Sequence, residues 1–274
     1  MVRLTWKPTE SIFVFVVVLL LTPVLSLASP PDDTPAFAAG RATSEAASPQ
    51  KLVLSEESTG LGTLFRDLAR DVKHMPSLDS LTIGLIGGGL ALAAHPFDSE
   101  VNPKLANDGG FFKIGDSIGP AAMLGASTAV YVVGRATGQG RVAHVGLDLL
   151  RAEIIGEGMV QALKVSVQRS RPDGSSGYSF PSGHAAAAFA AATVVDRHHG
   201  FLWALPTYAL ATYVGTSRLH DNVHNLSDVV FGAAVGTIAG RTVTRHGRSN
   251  FALVPVALPG GAALLFARTP TPPT

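Results

Sequence analysis

From Gly183 to Val195 the chain reads GHAAAAFAAATVV, a run of small apolar residues with a single bulky side chain, Phe189. Alanine favours helix, and a helix with so little side chain around it brings its backbone close to its neighbours. The run therefore reads as a buried helix. Gly232, Gly236 and Gly240 fall at every fourth position, along one helix face, where a neighbouring helix can approach closely. Further helical segments are expected at 80–94, 117–134, 143–168, 201–217 and 227–241, with 183–197 holding the alanine run. Leu61, Leu64, Phe65, Leu68 and Val72 recur at helical spacing opposite Arg66, Asp67, Arg70 and Asp71, which adds an amphipathic helix before them. None of these segments shows sustained strand alternation. The class is all-α, a six-helix core bundle, and the only strand signal is a C-terminal one: NFALVPVALPGGAALLFAR places a Pro-Gly-Gly turn between two short apolar runs, as in a hairpin.

Composition narrows the function. The 274 residues are 46% hydrophobic and 15% charged, which sets the chain toward the membrane end of globular proteins. A net charge of +1 argues against a nucleic-acid partner. With no cysteine, disulfides, thiol catalysis and cysteine zinc sites are excluded. Arg3 and Lys7 precede the apolar run Ile12 to Leu21, and Ser26 and Ala28 follow at the spacing of a cleavage site. Residues 1–28 are thus expected to be a secretory signal, or an uncleaved anchor, and either places the body in the cell envelope. Residues 29–59, rich in Pro, Ser, Ala and Thr, read as a disordered linker. The helical domain is expected over 60–248, with 249–274 as the hairpin or tail.

Against this charge-poor background three clusters stand out. KVSVQRSRP holds Lys164 and Arg171 seven residues apart, nearly two helical turns, with Pro172 as the expected helix stop. FPSGH places Pro181, Ser182, Gly183 and His184 at the opening of the alanine helix, where unpaired N–H groups and the helix dipole favour an anion. SRLHDNVHNLSD puts Arg218 six residues before His224, and Asp228 four after it, within one helical turn of the imidazole. Singly, each has a structural explanation: solvated charges at a helix end, a satisfied core histidine, a local ion pair. Antiparallel packing of the expected helices brings all three to one rim of the bundle. Three cations and helix N–H groups there suit a PO3 group, whose charge spreads over its equatorial oxygens. An imidazole oriented by a carboxylate suits nucleophilic attack, and a second imidazole suits protonation of the leaving oxygen.

The pattern K-x6-RP, PSGH and SR-x5-H-x3-D resembles the signature of the type 2 phosphatidic acid phosphatase superfamily, shared with vanadium haloperoxidases and bacterial class A acid phosphatases. The resemblance spans Lys164 to Asp228. It implies that His224 is the nucleophile of a phosphohistidine mechanism and Asp228 its orienting partner. It further implies that His184 protonates the leaving group and then activates water, and that Lys164, Arg171, Ser182, Gly183 and Arg218 hold the phosphate oxygens. No metal and no cofactor enter that scheme, and no metal-ligand cluster is evident in the sequence. His220 and Asp221 are expected in a solvated loop, and His198 and His199 at the opposite end of the bundle. The sequon Asn225-Leu226-Ser227 is rejected as a glycosylation site because a glycan there would obstruct His224.

The implied activity is hydrolysis of phosphomonoesters or pyrophosphates of lipids, such as phosphatidate, phosphatidylglycerol phosphate or an isoprenyl pyrophosphate. The alternatives are a nonspecific periplasmic acid phosphatase, a vanadium haloperoxidase, and a phospholipid-binding or transport component without catalysis. Segments 80–97, 117–134 and 200–217 lack Asp, Glu, Lys and Arg over 18 residues, the lower bound for a membrane span of roughly 17 to 25 residues. Arg135, Arg141, Arg197, Arg241, Arg245 and Arg248 gather at the end away from the clusters, as on a cytoplasmic face, so the site is expected to face the periplasm. Counting crossings leaves two arrangements open: segment 80–94 dips without crossing, or the whole domain is periplasmic and membrane-associated.

Overall fold

The computed structural model describes residues 60–105, 110–245, 251–258 and 261–268. The expected signal and linker, residues 1–59, lie outside the described residues. Nine α-helices are found among those described: α1 (Leu61–His74), α2 (Leu78–Ala94), α3 (Asp98–Leu105), α4 (Gly110–Asp116), α5 (Pro120–Ala136), α6 (Gly140–Val167), α7 (Gly183–His199), α8 (Phe201–His220) and α9 (Leu226–Val243). A 3-10 turn, His95–Phe97, joins α2 to α3. The body is all-helical, as the sequence indicates. Two strands follow, β1 (Phe251–Leu258) and β2 (Gly261–Arg268), paired antiparallel from Phe251↔Arg268 to Leu258↔Gly261. They form the hairpin expected from the Pro-Gly-Gly sequence.

Local chemistry sets the helix ends that matter for the site. Ser182 caps α7, its hydroxyl accepting from the Ala185 N–H at 3.4 Å, and Gly200 ends the helix with φ 87°. Pro120 opens α5, its fixed φ suiting a first helical position, so α5 starts three residues later than the sequence pattern suggests. The long helix α6 stops at Gln168, which takes a left-handed φ of 49°. This end agrees with the expected 143–168 to within one residue, and the chain leaves the helix before Pro172, which was expected to mark the stop. The short helices α3 and α4 were not foreseen, because seven or eight residues carry too little periodicity to register.

Helices α6, α7 and α9 form the interior. Along α7, Ala185, Ala186, Ala188, Ala190, Ala191 and Ala192 are buried, and α9 lies against them through its three glycines. A Cβ on Gly232 would sit 2.5 Å from the Ser182 carbonyl oxygen, one on Gly240 would sit 2.7 Å from Thr193 Cβ, and one on Gly236 would meet the Ala186 carbonyl closer still. Larger residues could not hold these two backbones at this separation. Ile118, Met123, Val130, Leu149, Val194 and Val214 fill the space around them.

The outer surface is apolar in broad stretches. On α2, Leu81, Leu85, Ile86, Leu90 and Leu92 are exposed, and only Gly87 and Ala91 are buried. Phe201, Leu202, Trp203 and Leu205 are exposed at the start of α8. Among the described residues two helices are long and apolar enough to cross a membrane: Leu78–Leu105 taken as one helix, and Leu226–Val243. A third arises if α4 and α5, bent by 67°, form one broken span. Segments 80–97 and 117–134 thus match candidate spans, 200–217 does not, and Leu226–Val243 was not foreseen. Apolar surface on this scale has no use in water, and the chain associates with a membrane.

Candidate active site

The first turn of α9 ties the three sequence clusters together through Asp228. Its carboxylate accepts the Asn225 N–H at 2.8 Å, the Ser179 hydroxyl at 2.5 Å and an Arg169 N–H at 2.7 Å. Its backbone carbonyl accepts the Ser182 N–H at 3.0 Å, which fixes the opening of α7 to the opening of α9. His224 Nδ1 lies 3.8 Å from Asp228 Oδ2, an ion-pair distance too long for a hydrogen bond. The His224 ring is buried, and its backbone carbonyl accepts from Asn102 Nδ2 at 2.8 Å. Asn102 belongs to α3, so that short helix fixes the loop carrying His224.

Arg169 extends this network to α3. Its second nitrogen donates to Asp98 at 2.8 Å, and Asp98 also accepts the Ser227 N–H at 2.9 Å and the Ser227 hydroxyl at 2.7 Å. An arginine between two buried carboxylates is compensated on both sides, which is the condition for burying such charges. Sequence reading passed over Arg169, Asp98, Asn102 and Ser179. Arg169 stood in plain view two residues before Arg171, but its partners are 59 and 71 positions away.

His184 and Arg218 face a second segment, the turn from α4 to α5. His184 Nε2 lies 3.1 Å from the Asp116 carbonyl, so a neutral ring carries its proton on Nε2 and donates it there. Gly119 packs so tightly on this ring that a Cβ would lie 2.7 Å from Nε2. Arg218 is buried and donates to Asp116 Oδ1 at 2.7 Å, with Asp221 Oδ2 at 3.1 Å. Asp116 itself is largely exposed, and no pattern in the sequence indicates that α4 reaches the site.

The two histidines share one electrostatic field. Burial is the largest influence on each and favours the neutral ring. The His184 pKa is brought down to about 4, next by Arg218 and also by His224, against the opposing pull of the Asp116 carbonyl. His224 is lowered by burial, raised in part by Asp228, and lowered again by Lys164 and Arg171. Lys164 and Arg171, from the first cluster, thus act on a histidine of the third.

Several residues sit otherwise than expected. Arg171 lies in the loop after α6, its N–H donating to the Ser176 carbonyl at 2.9 Å, so it approaches Lys164 from outside the helix rather than along one face. The Ser182 N–H and hydroxyl are already engaged, whereas the N–H groups of Gly183 and His184 hold no hydrogen bond among the described residues. His220 is buried in the last turn of α8 with its ring 5.0 Å from that of Phe112, not in a solvated loop. His198 and His199 lie at the far end of α7, as expected.

Known proteins bear on this arrangement. The profile described as "PAP2 superfamily" matches residues 145–251, a span that contains all eight site positions from Lys164 to Asp228. Over these residues the chain is similar to the PAP2 superfamily. In a second comparison, 96 residues are 44% identical to the lipid A 1-phosphatase of Porphyromonas gingivalis, covering 34% of this chain and 21% of that protein. Another 99-residue match, 30% identical, is to the lipid A 4'-phosphatase of Helicobacter pylori, covering 32% of this chain and 50% of that protein. The matches thus span from about a fifth to half of the length of these two relatives. Among solved structures, the transmembrane PAP2-type phosphatidylglycerolphosphate phosphatase of Bacillus subtilis is similar at a TM-score of 0.48 and 22% identity, over 60% of this chain and 93% of that one.

Proposed function

We propose that this protein is a metal-independent phosphatase that hydrolyses phosphomonoesters or pyrophosphates of lipids through a phosphohistidine on His224. The observation that carries the proposal is the closure of three distant sequence clusters around Asp228, which leaves one buried and one half-buried imidazole in one cationic field. His224 turns Nδ1 toward Asp228, which leaves Nε2 to attack phosphorus. The N–P bond forms as the ester P–O bond breaks, and His184 gives its proton to the departing oxygen. Water then attacks phosphorus as His184 takes back a proton, and the N–P bond breaks to release phosphate. Lys164, Arg171, Arg218 and the N–H groups of Gly183 and His184 neutralise the equatorial oxygens, with Ser182 shaping the helix opening. His184 is neutral in the free site. A phosphate dianion beside it favours the imidazolium, so the substrate itself supplies the charge that makes His184 an acid.

The lipid class follows from the exposed apolar faces of α2 and α8 and from the names of the two relatives, both phosphatases of a lipid. The arginines Arg135, Arg141, Arg197, Arg241 and Arg245 cluster at the far end of the bundle, which supports a site on the periplasmic side of the membrane. The test is phosphate release from detergent-dispersed lipid phosphates in the presence of chelator. Turnover is expected without added metal, and His224→Ala is expected to lower it by at least a factor of about 1,000, beyond the usual loss of one acid–base group. Full turnover in that variant would refute the mechanism.

A further inference from the structure

At the end of the bundle away from the candidate active site, α6 and α7 bring together His144, Asp148 and His198. The first two are one turn apart on α6, so they share a face, and His198 stands next to last on α7. Asp148 Oδ2 lies 2.8 Å from His198 Nε2 and 3.8 Å from His144 Nε2, and the three ligand atoms all fall within 4.8 Å of one another. A tetrahedral ion with bonds of roughly 2.0 Å holds its ligand atoms about 3.3 Å apart, between those two distances. The Asp148 side chain is fully buried, while the imidazoles are 25% and 20% exposed, so the group is built inward and open outward.

The surroundings of Asp148 suit a ligand. Its other oxygen, Oδ1, accepts from Arg151, and Oδ2 faces the two histidines. Arg151 is in turn held by Asp71 Oδ2 at 2.9 Å and donates to the Val243 carbonyl at 3.1 Å. Outer-shell partners of this kind orient a carboxylate toward a metal. The Asp148 carboxylate between two imidazoles gives a mixed oxygen and nitrogen ligand set. Imidazole with carboxylate selects zinc, cobalt or nickel over magnesium and calcium, which prefer all-oxygen sites.

We propose that His144, Asp148 and His198 form a transition-metal site of the zinc type, with the fourth position open to water, that pins the start of α6 to the end of α7. The metal takes the place of the Nε2 proton that faces Asp148, and that proton moves to Nδ1 of the same ring. This site stands apart from the phosphatase reading and does not depend on it.

The test uses full-length, chelator-stripped protein in detergent, titrated calorimetrically with Zn²⁺ alone, then with Co²⁺ monitored by visible absorption. One ion per chain is expected, and binding is expected to weaken at least tenfold in His144→Ala and in His198→Gln. Glutamine keeps an N–H donor toward Asp148, so metal-free His198→Gln with wild-type helix content and Tm shows that the loss is one of ligation, not folding. Absence of a saturable one-ion uptake, or an affinity unchanged within twofold in the His144→Ala/His198→Gln double variant, would overturn the proposal.

Discussion

His184 is held neutral by its burial and by the Arg218 cation, which put its pKa at about 4 against an unfolded value of roughly 6.5. A base whose folded pKa is lowered gives stability that is complete above the unfolded value. That stability is lost as the pH falls toward and through the folded value. Thermal unfolding between pH 7 and pH 4 should therefore show a decline in Tm that is shallower in His184→Gln, whose side chain does not titrate. Equal slopes for the two proteins would remove His184 as the cause. The eight positions proposed for this chemistry were read from the sequence alone, because their identities and spacings are local signals. Asp98, Asn102 and Asp116 were not. They reach the site from helices too short to show periodicity, and their partners lie more than 60 positions away.

The contact of α7 with α9 sets the separation of the helix openings that carry Ser182 and Asp228. Gly232→Val should place a branched side chain against the Ser182 carbonyl and destabilise by about 1–3 kcal/mol, the range for overpacking. It should also lower phosphate release, since it displaces the α7 opening. Gly240→Ala, which crowds Thr193 and the Ala190 carbonyl at the other end, should cost comparable stability while leaving phosphate release per folded molecule unchanged. Denaturant unfolding and initial rates on both variants check this, and loss of activity in Gly240→Ala would contradict the division. The four-residue glycine spacing was readable in advance. That α7 is the partner was not, because spacing describes one face and not what covers it. The end of α6 was readable to within one residue, but its device was not: Gln168 takes the left-handed conformation usually left to glycine or asparagine, ahead of Pro172.

On the scale of the molecule, an envelope of exposed leucine, isoleucine and tryptophan surrounds a core of alanine and glycine that carries polar networks at both ends. Cell fractionation should leave the protein with membranes after a high-salt wash and release it in detergent. Recovery in the aqueous fraction would contradict the account of α2 and α8 as lipid-facing. The all-helical class, the hairpin and the membrane character were evident from composition and pattern, but which segments are long and apolar enough to span was misjudged at 200–217. The claim on which the rest turns is that His224 carries the phosphoryl group. Protein mixed with a lipid phosphate labelled in its phosphate and quenched within milliseconds should hold acid-labile, base-stable label at His224. It should accumulate when the later water step is slowed by His184→Gln with an activated phosphate ester, and vanish in His224→Ala. Label that persists in His224→Ala, or turnover with no label at His224 in either active protein, would contradict it.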